Sequence, residues 1–181
     1  NIMGVDRQSA KSHTFKPLYG GTKGTRQEMR YYDAFKTKYS GVTSWHERLQ
    51  REAVNKKKVT LPSGREYSFP NAKFNRFGVA TGATAIKNYP VQGFATADIL
   101  PLSLINLHKK LDNYKSVVIN TVHDSIVVDV HPKEKDEIIQ LLRDSMLSIK
   151  DECSKRYLID FDMPIDIELK IGYDWLNLKE I

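Results

Sequence analysis

The chain has 181 residues, 40% of them hydrophobic and 28% charged, which suits a soluble globular protein with one good core or two small ones. A single cysteine, Cys153, excludes an internal disulfide and a cysteine-cluster metal site, so a reducing, cytoplasmic setting is expected. No apolar run approaches the roughly 18 residues of a membrane-spanning helix, and no secretory signal is expected.

The net charge of +6 hides a division. Residues 1–87 carry 17 Lys and Arg against 6 Asp and Glu, a net +11, while residues 88–181 carry 11 against 16, a net −5. A basic and an acidic half suit a protein that grips phosphates with one part and cations with the other, although uneven surface charge alone gives the same sums.

In chain order, the first helix is expected from Asp6, an N-cap, to the glycines at 20–21, with a kink or early end near Pro17. Arg7, Lys11, Phe15 and Tyr19 stand four residues apart in it. Each four-residue step advances about 400° in a helix, so the four form one slowly drifting row about 18 Å long. Cations can hold phosphate oxygens while a ring covers the attached sugar or base, so the row fits a nucleoside triphosphate. Taken alone, it fits equally an amphipathic helix with its aromatic residues in the core. GGTKGT, residues 20–25, lacks the Gly-Lys-Ser/Thr ending of a phosphate loop and reads as a turn.

Residues 26–39 and 43–55 read as helices separated by a turn at Ser40-Gly41, and 56–60 with 65–69 as a hairpin across Pro62-Ser63-Gly64. Lys56, Lys57 and Lys58, with Arg65, Lys73 and Arg76, form the candidate strip for DNA-backbone contact; the triplet alone reads equally as a solvated turn. Residues 92–111 read as a helix with Ile99, Leu102, Ile105 or Leu107, and Leu111 on its apolar face. Residues 116–122 and 126–130 read as a hairpin with His123-Asp124 at its turn. His131-Pro132 opens a helix lined by Ile138, Leu141, Leu142, Ile149 and Cys153, and 165–171 alternate as a half-buried strand. Strand, strand, helix, strand gives an antiparallel sheet backed by helices, an α+β fold.

Three further segments follow the Arg-Lys-Phe-Tyr row in a fixed order: NYPVQGFATADI at 88–99, TVHDSIVVDV at 121–130 and GYDW at 172–175. Together the set resembles family A DNA polymerases, the bacterial DNA polymerase I group and its phage relatives, over nearly the whole chain, and the resemblance implies that GYDW is the family's final strand. The resemblance implies helical fingers over residues 1–87 and a palm over 88–181. It implies nucleotidyl transfer from a dNTP to a primer 3′-hydroxyl with two Mg²⁺ ions, on primer–template DNA, in a cytoplasm (a host's, if phage-encoded). Arg7 and Lys11 would hold the triphosphate, Phe15 the nucleotide sugar and Tyr19 the templating base. Asn88 and Gln92 would lie near the nascent pair and primer terminus, His123 beside the primer end, and Asp124 would hold metal.

The chain departs from the family pattern at two positions: Ser125 stands where most members have Glu, and Thr84 where bacterial members carry Arg. The family's other metal-binding aspartate precedes the fingers helix, so an upstream segment or a separate subunit is expected to supply it, and the isolated chain to be inactive. The alternative is a non-catalytic DNA-binding or assembly module that keeps the polymerase fold.

Overall fold

The computed structural model describes residues 6–19 and 24–181, without the side chains of Arg7 and Gln8. The fold is α+β. Two compact units divide between Gln92 and Gly93, inside the NYPVQGFATADI segment, so Asn88 and Gln92 go with the first unit.

In the first unit, Asp6 caps α1 (Arg7–Tyr19) by accepting from the Ser9 amide at 3.0 Å. The helix continues through Pro17 to Tyr19 rather than ending at Lys16. Its Gly20-Gly21 stop and most of the GGTKGT turn lie outside the described residues. α2 (Arg26–Lys38) opens with a capping box in which Thr25 and Glu28 satisfy each other's backbone amides. α3 (Ser40–Lys56) follows almost directly, the expected Ser40-Gly41 turn being reduced to Tyr39. Helical hydrogen bonds absorb those residues because Tyr39 closes one helix and starts the next: its amide donates to the Phe35 carbonyl, and its carbonyl accepts from Val42 and Thr43.

Lys57 adopts φ 58° to end α3, and β1 (Lys58–Thr60) pairs antiparallel with β2 (Glu66–Ser68) across a turn that places Gly64 at φ 85°. α4 (Ala83–Gly93) completes the unit. Leu49, Ala53, Val59, Ala72, Ala80 and Ile86 form the core, with Trp45, Val54 and Phe69 packed against it.

In the second unit the expected single helix over 92–111 contains a wider turn. A π-helical segment, Phe94–Ile99, leads into α5 (Leu100–Leu111). The Leu100 amide reaches back five residues to the Ala95 carbonyl, next to Pro101, which has no amide to give. Leu102, Leu107 and Leu111 are the buried face; Ile105 is exposed.

β3 (Val117–Val122) and β4 (Ser125–Asp129) form the antiparallel hairpin, with a bulge between Val118 and Asn120. Its inner residues Val118, Ile126 and Val128 pack on Leu107, Leu111 and Ile138. Glu134, in the 3₁₀ turn Pro132–Glu134, fastens the hairpin base: its carboxylate accepts from the amides of Lys115 and Ser116 and from the Ser116 hydroxyl at 2.7 Å. Those bonds hold its pKa below the ordinary carboxylate value. α6 (Lys135–Leu147) and α7 (Ile149–Tyr157) form the expected last helix, interrupted at Ser148, whose hydroxyl accepts from Asn106 at 2.8 Å.

The expected strand over 165–171 buries alternate residues, but only β5 (Lys170–Ile171) forms a ladder, and its partner is β6 (Lys179–Glu180). The described residues therefore hold three two-stranded ladders rather than one sheet. GYDW is the turn between β5 and β6, not a strand. Asp174 accepts from the amides of Leu176 and Asn177, and a Cβ on Gly172 would sit 2.5 Å from the Asn177 carbonyl oxygen.

Candidate functional site

Two places gather the residues singled out in the sequence, one on each unit. On the first, α1 has no apolar stripe and is held by polar contacts. Lys16 Nζ meets Glu28 Oε1 at 2.8 Å, and the Thr14 and Tyr31 hydroxyls are 3.0 Å apart. Glu28 accepts from Lys16 and from the Thr25 amide, and these bonds lower its pKa to about 2. His13 Nδ1 lies 3.6 Å from the same carboxylate.

With that face committed to α2, the row Lys11, Phe15, Tyr19 is left on another. Phe15 and Tyr19 stack with centroids 6.2 Å apart and planes 26° apart, and Lys11 Nζ lies 5.9 Å from the Phe15 centroid. Phe15 is 47% exposed, which removes the reading of this ring as core. The Arg7 side chain lies outside the described residues. The arrangement can bind an anion through Lys11 beside an aromatic surface that accepts a sugar or base.

α4 presents Asn88, partly buried, and Gln92, exposed. Beside Asn88, Lys87 is partly buried and its pKa is pushed down by burial and then by Lys36.

On the second unit the hairpin tip carries His123 and Asp124, both exposed. His123 adopts φ 53°, the left-handed conformation that permits so short a turn. The Asp124 carboxylate makes no hydrogen bond or ion pair with the described residues. Ser125 closes the turn by donating its hydroxyl to the Val122 carbonyl at 2.9 Å. No group of three or more His, Cys, Asp or Glu residues that could hold a metal occurs among the described residues. Magnesium is held by one or two carboxylates with substrate phosphates, so a free carboxylate at Asp124 fits a share of such a site rather than the whole.

The lysine triplet is not one strip of free cations. Lys57 donates to the Ala72 carbonyl at 2.6 Å and serves the fold. Lys58 meets Glu66 at 2.6 Å, holding that carboxyl below its usual range, and Lys56 lies 3.5 Å from Glu52. Arg65 and Lys73 are exposed, and the Arg76 guanidinium carbon lies 4.7 Å from the Phe77 ring centroid. Phe77 was not among the sequence candidates; its signal was an aromatic residue between Arg76 and Gly78 at a turn.

Residues 2–177 match the model of DNA polymerase family A. The chain is 32% identical to DNA polymerase I of Lactococcus lactis subsp. lactis (strain IL1403) over 99% of its own length and 21% of that protein. Against the thermostable DNA polymerase I of Thermus aquaticus the identity is 27%, over 96% of this chain and 21% of that one. The fold is similar to the POL domain of Pol1 from M. smegmatis, solved in complex with DNA primer-template and dNTP: TM-score 0.69, 22% identity, 82% of this chain and 29% of that one. This chain belongs to DNA polymerase family A. It spans about a fifth of the length of the curated relatives it matches.

No helix among the described residues is long and apolar enough to cross a membrane.

Proposed function

We propose that this chain is the fingers and part of the palm of a template-directed DNA polymerase, with residues 1–87 as fingers and 88–181 as palm. The observation that carries the reading is the row of Lys11, Phe15 and Tyr19 on α1, with Lys11 and Phe15 exposed and Tyr19 half-buried, in a chain of this family.

In the reaction a primer 3′-hydroxyl oxygen forms a bond to the α-phosphorus of a dNTP. The bond from that phosphorus to the bridging oxygen breaks, and pyrophosphate leaves. Arg7 and Lys11 hold the triphosphate oxygens, and Lys11 donates a proton to the departing pyrophosphate. Phe15 covers the sugar and Tyr19 lies beside the templating base. Asn88 and Gln92 accept and donate in the minor groove, where every base pair offers acceptors, so they test pair shape without reading sequence. His123 sits beside the primer end, and Asp124 provides a carboxylate for Mg²⁺. Magnesium, when bound, neutralises charge on the attacking and leaving oxygens.

A second carboxylate comes from polymerase sequence outside these residues, on the same chain or a separate subunit. β3 supports a further segment there, since β4 is its one ladder partner among the described residues and Val117, Ile119 and Val122 lie exposed along it. The setting is cytoplasmic, a host's if the source is a phage.

Ser125 favours a second reading, a non-catalytic DNA-binding or assembly module, because its hydroxyl closes the hairpin where a metal-binding carboxylate would otherwise stand. Primer extension separates the two. Mixed with an upstream polymerase segment bearing the second aspartate, the chain is expected to give Mg²⁺-dependent synthesis that neither piece gives alone. Robust extension by the 181-residue chain contradicts the divided metal site, and DNA binding without extension by the mixture supports the second reading.

A further inference from the structure

Phe77 is 73% exposed, and the loop that carries it is built to keep it so. Its two ends are anchored in the core of the first unit by Ala72 and Ala80. Asn75 organises the turn: its side-chain oxygen accepts from the amides of Phe77 at 2.9 Å and Val79 at 3.1 Å, and its own amide donates to the Val79 carbonyl at 3.0 Å. Gly78 takes φ 72° to close it, and the Ala80 amide is fixed by Gln50 Oε1 at 3.0 Å. Phe74 flanks the turn, also partly exposed. A loop with this many internal bonds holds an aromatic ring in water rather than letting it fold inward.

Along the chain, the charge flanking the ring has one sign. Lys73, Arg76 and Lys87 are the charged residues between Glu66 and Asp98, with no carboxylate in that stretch. Arg76 lies over the Phe77 ring. A protein partner covering the ring with apolar side chains would have to desolvate this guanidinium, which costs free energy unless an anion meets it. A nucleotide satisfies both groups, because its base stacks on the ring and its phosphate accepts from the cation. Paired bases in a duplex have their faces covered by their neighbours, so the open face required is that of an unpaired base.

We infer that Phe77, with Arg76, is a stacking platform for an unpaired base of the single-stranded template. The inference rests on reading the chain as the DNA-binding part of a polymerase, and it adds a base contact where the sequence suggested only backbone phosphates.

The test is fluorescence anisotropy with the full chain and three labelled probes: a blunt duplex, the same duplex with a short 5′ single-stranded overhang, and that overhang made abasic. The base-bearing overhang is expected to bind about tenfold tighter than the blunt duplex, the size of one base–aromatic stack. Phe77→Ala and the abasic overhang should each remove that advantage, with blunt-duplex affinity unchanged, and Phe77→Trp should keep it. Equal binding of abasic and base-bearing overhangs, or equal loss of blunt and overhang binding in Phe77→Ala, overturns the platform while leaving the polymerase reading intact. Wild-type binding to none of the probes overturns that reading and the platform with it.

Discussion

His46 should make the first unit sensitive to mild acid. It lies on α3 at 7% exposure, with the Trp45 ring at 5.3 Å and Lys87 facing it. Burial, and then the Lys87 charge, push its pKa from 6.5 down to about 4. The folded chain therefore resists a proton that the unfolded chain accepts near pH 6.5. The stability contributed by neutral His46 is complete above that pH and falls as pH drops toward 4. By pH 5 the loss is about 2 kcal/mol, at 1.36 kcal/mol per unit of pKa difference, a sizeable part of a typical 5–15 kcal/mol total. Urea unfolding at pH 7.5 and pH 5, followed by Trp45 fluorescence in a Trp175→Phe background, measures it. His46→Gln should remove most of the difference between the two pH values. An equal difference in wild type and variant would show that His46 titrates as an exposed imidazole does, and would refute the argument.

Glu28→Gln should loosen α1: hydrogen exchange at its amides should speed up while α3 is unchanged. In the wild type the same loosening should appear as pH falls from the ordinary carboxylate range toward about 2, because the lowered Glu28 pKa contributes stability only while the group is ionised. In the completed enzyme, Lys11→Ala should raise KM for dNTPs far more than it weakens DNA binding. Neutralising Lys56, Lys57 and Lys58 together should do the reverse and reduce the salt dependence of DNA affinity, though by less than three full phosphate contacts because Lys57 serves the fold. Phe15→Tyr should relax discrimination against dideoxynucleotides about two- to tenfold or more, one hydrogen bond's worth, measured by competition at one template position. An unchanged ratio would place Phe15 away from the sugar.

The α+β class, the α1 row and the His123-Asp124 hairpin were legible because local rules set them: helical spacing, capping by Asp6, and β-branched runs around a two-residue turn. The strand over 165–171 was legible only in part. Alternation records which side chains are buried, and it holds from Ile165 to Ile171, but it does not say which strand, if any, lies alongside. GYDW was missed as a turn because Asp174 bonds forward to Leu176 and Asn177, a choice that aspartate makes in competition with a ladder. The lysine triplet was legible only as a run of charge: the partners of Lys57 and Lys58 are set by the β1–β2 register and by the loop at Ala72, which the sequence does not reveal. Phe77 carried no periodic signal at all, and its significance lies in exposure.

The most direct test of the central claim is single-turnover primer extension by the enzyme completed with an upstream segment, comparing wild type with Asp124→Asn. The Asp124 carboxylate is exposed and has no partner among the described residues, so its replacement should leave the fold and primer–template affinity unchanged. Extension should fall by several orders of magnitude at every Mg²⁺ concentration. Extension close to wild type in Asp124→Asn would contradict the account.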